Sequence, residues 1–133
     1  MTKIERFEDI EAWKEARALT NQIYSVSVAG NLARDFELRD QLRRAAVSVM
    51  SNIAEGFERG GDREFLQFLS LAKASCAEVR SHLYVALDQA YLTRCQFDEL
   101  KLQTERVGKM LAGFMGYLRN SKYRGSKFRQ ASD

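Results

Sequence analysis

The sequence predicts an all-α fold, an antiparallel up-down-up-down four-helix bundle. Three observations carry this prediction. The 133 residues contain no proline. Four segments of similar length repeat apolar residues every three or four positions, the period of an amphipathic helix, and none shows strand alternation. Glycine and polar clusters break the pattern at only a few points, and the short connections between segments make successive helices antiparallel.

The first helix is predicted over about 8–29, where Ile10, Trp13, Ala16, Leu19 or Thr20, Ile23 and Val26 recur at helical spacing. Glu8, Asp9 and Glu11 crowd its first turn, where negative charge suits the helix dipole. Gly30-Asn31 ends it, because both residues tolerate a left-handed C-cap. The second helix covers about 35–59 on the stripe Leu38, Leu42, Ala45, Val49, Ile53 and Phe57, and Gly60-Gly61 stops it. The third runs from an Asp62 N-cap to about Ala90, with Phe65, Phe68, Leu69, Ala72, Cys76, Val79, Leu83 and Leu87 or Ala86 inward. The fourth opens on a capping box, Thr93 with Gln96, and continues through Phe97, Leu100, Val107, Leu111, Phe114 and Leu118 to about Ser121. Residues 1–121 thus form the bundle and 122–133 a basic tail without periodicity.

Composition bounds the function. Hydrophobic residues make up 45% and charged residues 29%, which fits a globular chain and excludes disorder or collagen. No apolar run is long enough to span a bilayer, and the first residues lack the apolar region of a secretory signal. Cys76 and Cys95 belong to no C-x-x-C or Cys/His cluster, so a cytoplasmic location with reduced thiols is expected. Catalysis is not expected. His82, the single histidine, is six residues from Cys76, about 600° of helix rotation, which builds no local dyad. Glu78 and His82 share a face at i, i+4, but a bundle metal site needs a second such pair. No phosphate-loop or dinucleotide fingerprint occurs. No cofactor or metal is therefore predicted.

The second helix holds the most informative stretch. On a wheel, Arg44, Ser48, Ser51, Asn52, Glu55 and Arg59 share one arc about 100° wide beside the apolar stripe. Ser and Asn are short and poor helix formers, so this arc sacrifices helix stability for something else. One reading is a close helix–helix contact, with Asn52 and Glu55 hydrogen-bonded across it and Arg44 paired with a carboxylate such as Glu78. The other is a ligand or RNA surface built on Arg44, Asn52 and Arg59. In the fourth helix Gly108, Ala112 and Gly116 form a small-residue groove, which predicts another helix pressing close, from this chain or a neighbour. Met110, Met115, Tyr117, Tyr24, Val28 and Tyr91 lie partly off the main stripes, which fits either an oligomer contact or a wide core face.

Formal charge is +3. From Arg119 onward five bases face the single acid Asp133, a net +4, so residues 1–118 carry −1. Lys122, Arg124, Lys127 and Arg129 alternate with Tyr123 and Phe128. Bases neutralise phosphates and aromatics stack on unpaired bases, so the tail is a candidate nucleic-acid contact. The alternative is a solubilising tail that also caps the dipole of the fourth helix.

The segments Phe7–Trp13, Gln41–Ser48, Ser51–Phe57 and Phe65–Ser75 resemble the 23S rRNA-intervening-sequence protein family, and the resemblance extends to about Leu118. The stretch running from Arg44-Ala45-Ala46 to Ser51-Asn52-Ile53-Ala54-Glu55-Gly56 is its most specific part. The resemblance implies a four-helix bundle that assembles as a homopentamer and carries no catalytic residues. Some members are encoded within intervening sequences of bacterial 23S rRNA genes. Others are similar to the accessory protein of diversity-generating retroelements, which binds nucleic acid and a reverse transcriptase. Arg44, Ser48, Asn52, Ile53, Glu55 and Gly56 map directly onto the family motif and suit subunit or structural contacts. The family pattern has proline where this chain has Met50. Arg43, Arg59 and Arg63, grouped near the second loop, and the tail bases Lys122, Arg124, Lys127 and Arg129 are the expected nucleic-acid contacts. The expected function is a non-enzymatic homo-oligomer associated with RNA or other nucleic acid. The alternative is an interaction scaffold, an accessory subunit whose enzyme partner does the chemistry.

Overall fold

The structure is a computed structural model that describes residues 3–120; the tail from 122 and its four bases lie outside the described residues. The elements are a 3-10 turn (Phe7–Asp9), α1 (Glu11–Ser27), a short α2 (Gly30–Arg34), α3 (Phe36–Glu58), α4 (Asp62–Asp88) and α5 (Arg94–Asn120). No strand occurs among the described residues. The four long helices form a closed square in which α1 meets α3, α3 meets α4, α4 meets α5 and α5 returns to α1. Cross-contacts fix their directions. Thr20 and Ser27 of α1 bond Ala46 and Arg43 of α3, so the residue order runs oppositely in the two helices. Phe65 meets Phe114, and Tyr84 meets Phe97, at opposite ends of the antiparallel α4–α5 pair.

Two boundaries differ from the sequence reading at the N-terminus. The first helix does not begin at Glu8. The Asp9 carboxylate accepts the backbone N–H groups of Glu5 and Arg6, at 3.0 and 3.2 Å, and closes a separate turn. Those bonds hold its carboxyl below the usual carboxylate range. Ile10 then takes an extended backbone, which drives its side chain into the core before α1 starts. At the other end α1 stops before Val28, and Gly30 adopts the left-handed φ of +73° anticipated for it, but the chain then winds into α2, which periodicity did not show. Leu32 of α2 plugs the top of the bundle.

Asp35 caps α3 by accepting the Leu38 N–H at 3.1 Å, and the Tyr91 hydroxyl donates to its other oxygen at 3.0 Å. That hydrogen bond to a carboxylate raises the phenol above its ordinary range. The raised value favours the folded state below the unfolded phenol's range, and that contribution disappears as pH rises through the folded one. α3 runs unbroken through Met50 and ends where Gly60 turns left-handed. Asp62 is not the N-cap of α4; Gly61 is, and Asp62 supplies negative charge to the first turn instead. The Thr93–Gln96 capping box forms as predicted, with both reciprocal bonds present.

The C-terminus of α4 closes with a Schellman pattern, Tyr91 N–H to Ala86 O and Ala90 N–H to Leu87 O, both 2.9 Å. The left-handed residue is Ala90, with φ +61°, a position that favours glycine. The left-handed conformation costs an L-residue about 1–2 kcal/mol. Ala90→Gly is expected to stabilise the bundle by about 0.5–1 kcal/mol after the added unfolded-state entropy is subtracted. A urea midpoint shift without a change in slope checks it.

The core has two halves. The lower is centred on Val49, Ile53, Phe65, Leu69, Val107, Leu111 and Leu118, the upper on Leu19, Ile23, Leu42, Val79, Leu83, Phe97 and Leu100. Met115 belongs to the lower core, whereas Phe114 is only half-buried, a reversal of the predicted stripe. Trp13 and Phe68 are likewise half-buried rather than central. Hydroxyls line the level between the halves. Thr20 and Thr104 donate to carbonyls one turn back, Ala16 and Leu100, at 2.9 and 2.6 Å, and Ser75 bonds Ser48. Each buried hydroxyl is thus satisfied, mostly by backbone of its own helix.

Candidate functional site

Within the polar arc of α3, Ser48 faces α4, whereas Arg44, Ser51, Glu55 and Arg59 are exposed. Ser48 Oγ and Ser75 Oγ lie 2.9 Å apart across the seam. Asn52 Nδ2 donates to Ser48 O at 2.9 Å and to Ser48 Oγ at 3.0 Å. One turn on, a Cβ added at Gly56 would stand 2.6 Å from Phe68 Cβ and 3.0 Å from Phe65 Cδ1. The short side chains therefore let two backbones approach, and Ile53 fills the core beneath them. The contact reading holds for Ser48 and Gly56, with three corrections. Asn52 bonds within α3 rather than across the seam. Glu55 pairs with Arg59 on its own helix at 3.0 Å, because the i, i+4 spacing puts them side by side. Glu78 lies 3.6 Å from His82 Nε2, so it does not pair with Arg44, which stays exposed.

The three bundle arginines singled out from sequence do not cluster. Arg59 and exposed Arg63 flank the Gly60-Gly61 loop, with Arg59 also lying 5.1 Å over the Phe68 ring. Arg43 is sixteen residues from Arg59, about 24 Å along α3. It reaches α1 instead. Its Nε donates to Ser27 Oγ at 2.9 Å, its Nη2 donates to Ser27 O at 3.1 Å, and its Cζ lies 4.5 Å over the Tyr24 ring. An arginine of α3 thereby satisfies the carbonyl end of α1, where positive charge suits the dipole. No carboxylate lies within 4 Å of Arg43 among the described residues, so its charge is offset by dipole and ring alone.

The same α1–α3 side carries residues the sequence reading placed elsewhere or passed over. Arg17 lies 5.9 Å over Trp13, and Arg39 lies 4.8 Å over Phe36. Arg39 is neutralised by Asp40 at 2.9 Å; Arg17, like Arg43, has no carboxylate partner among the described residues. The i, i+4 and i, i+3 spacings of the first and last pairs were available in sequence. The Tyr24–Arg43 pair, nineteen residues apart, needed the fold.

Burial pushes the Cys76 thiol up to about 11, which leaves it protonated at neutral pH. Cys95 is exposed on α5, with its Sγ 3.9 Å from Glu99 Oε1, and His82 belongs to α4. Among the described residues no group of three His, Cys, Asp or Glu could hold a metal ion, and no helix is long and apolar enough to cross a membrane. In α5, nothing lies within 4 Å of a Cβ added at Gly108, Gly113 or Gly116. The helix predicted to press on that groove is not supplied by the described part of this chain.

Fold and seam define a class: a small antiparallel helical bundle whose signature residues set the distance between two helices. The profile of the family described as 23S rRNA-intervening sequence protein matches residues 8–113, and the chain belongs to that family. Its fold is similar to that of a protein of unknown function from the S23 ribosomal protein family of Bacteroides thetaiotaomicron, known from a crystal structure. The two share a TM-score of 0.71 and 20% identity over 78% of this chain and 97% of the other. No curated protein matches the sequence.

Proposed function

We propose that this chain is a non-enzymatic, cytoplasmic, homo-oligomeric bundle that associates with RNA or other nucleic acid through basic surface and tail residues. The observation that supports it is the charge split: −1 over residues 1–118 against +4 from Arg119 to the end. Assembly multiplies the tail. Five copies, the number the family resemblance implies, carry +15 in all, and polyanion affinity rises steeply with the number of phosphates neutralised. The uncompensated Gly108 and Gly116 of the α5 groove support assembly, since each costs about 1 kcal/mol against Ala in a helix and nothing in the described chain packs there.

A chain truncated after Leu118 tests this. If four tail bases contact single-stranded RNA, raising salt fourfold weakens full-length binding by about 50-fold. The truncated chain is expected to bind weakly and with a shallow salt slope. Equal affinity and slope for both chains, at equal subunit number by light scattering, would refute the tail's role. The second reading is an accessory subunit for a nucleic-acid enzyme such as a reverse transcriptase. It draws on the exposed Leu71 of α4 and Leu102 of α5, apolar side chains open to a protein partner. Stable complex formation with such an enzyme encoded beside the chain's own gene would favour it.

A further inference from the structure

We propose that the α1–α3 seam is a binding surface for single-stranded nucleic acid, with Arg17 and Arg43 on phosphates and Tyr24 and Phe36 stacking unpaired bases. This rests on the nucleic-acid reading above and places part of the contact on the bundle, away from the tail.

Arg17, Tyr24 and Arg43 line the seam, and Phe36 extends the same face of α3 about 10 Å past the end of α1. On α1, Arg17 and Tyr24 fall in one arc about 20° wide, and on α3, Phe36 and Arg43 fall in another of the same width. The Arg43–Tyr24 contact joins the two arcs across the seam. Arg17 and Arg43 are separated by the ten residues from Arg17 to Ser27, about 15 Å along α1. Arginines outnumber acids on these arcs, where Arg17, Arg39 and Arg43 meet Asp40, which lies about 60° from Arg43 on α3. The α1 acids Glu11 and Glu15 lie on other faces, and Glu15 is engaged by Gln103 and Arg106 of α5. Asp40 of α3 is occupied by Arg39. Arg17 and Arg43 are thus left without a carboxylate, and Arg43 is held rigid by Ser27, so little side-chain freedom is lost when a phosphate arrives. Arg43 covers one face of the Tyr24 ring and Arg39 one face of the Phe36 ring, and the two side chains remain 41% and 64% exposed. Cations beside accessible ring faces are the elements of a strand-tracking stacking platform. A duplex hides its base faces, so the platform selects unpaired bases.

The test uses the full chain and a short fluorescent oligouridylate, with a hairpin duplex of equal length as the competitor strand. Tyr24→Ser/Phe36→Ser is expected to weaken oligouridylate binding about tenfold or more and to leave duplex binding unchanged. Phe36→Tyr, which keeps a ring, is expected to retain wild-type affinity. Arg17→Gln is expected to lower the salt slope by about 0.7, one phosphate's worth on a single strand. Circular dichroism and light scattering report on fold and subunit number. If the double serine variant binds oligouridylate as the wild type does while truncation after Leu118 still abolishes binding, the seam proposal is overturned and the broader reading survives. If the wild type binds neither strand form, both fall. If the double variant loses subunits and keeps its RNA affinity per subunit, a second copy covers the seam and the proposal is overturned.

Discussion

Gly56→Val is expected to destabilise the bundle by about 3 kcal/mol, a fall in Tm of roughly 10 °C for a domain of this size. The reason is the nature of the atom it meets. A Cβ at position 56 would lie 2.6 Å from Phe68 Cβ. That carbon is fixed to the α4 backbone and no rotamer moves it away, so the helices themselves must part. Their separation would loosen the Ser48–Ser75 bond and the lower core beneath it. Helix propensity works the other way, since glycine is about 1 kcal/mol worse than alanine inside a helix. The measured change is therefore the clash less that gain. Gly113→Ala supplies the comparison. Nothing lies within 4 Å of a Cβ there, and α5 is expected to gain about 0.5–1 kcal/mol. Thermal melts of the two variants should move in opposite directions. A stable Gly56→Val would mean that α3 and α4 do not approach as closely as the seam requires.

How much of this was legible in sequence depends on the range of the interaction. The four long helices were, because their apolar period is a local property and no proline interrupts it. So was the Thr93–Gln96 box, which is closed within four residues. Gly56 belongs to the family motif, yet its physical reason sits on α4, where Phe68 passes, and no periodicity on α3 reveals it. The 3-10 turn at Phe7–Asp9 escaped because Asp9 bonds backward to Glu5 and Arg6, a local competition that a helical wheel ignores. The expected pairing of Arg44 with Glu78 failed on a similar ground: an i, i+4 neighbour, His82, stands beside Glu78 on its own helix. Arg43 is the sharpest case. Counting charges places it among candidate phosphate contacts near the second loop, while the fold puts it at the end of α1, bonded to Ser27 over the Tyr24 ring. Its charge stays uncompensated by any carboxylate among the described residues, which is why one residue serves both the helix end and the proposed seam.

Phe97→Ala is expected to cost about 3–5 kcal/mol, the range for deleting a buried aromatic from a core. Phe97 is fully enclosed, at 2% exposure, with its ring 4.9 Å from the Tyr84 ring in an edge-on arrangement and Arg94 5.5 Å above it. Truncation leaves a void between α4 and α5 that neither backbone can fill, and both outer partners lose their ring surface at once. Domains of this size are stable by only about 5–15 kcal/mol, so the variant sits near its folding threshold at ordinary temperature. The division of the core makes the prediction more specific. Phe97 lies in the upper half, above the level of Thr20, Ser75 and Thr104, and the lower half around Ile53, Phe65 and Leu111 makes no use of it. Hydrogen exchange should therefore accelerate first in the upper parts of α4 and α5, around Leu83 and Leu100, while amides near Ile53 and Leu69 exchange only with global unfolding. Uniform acceleration through all four helices would show that the hydroxyl level does not separate the halves and that the bundle opens as a single unit.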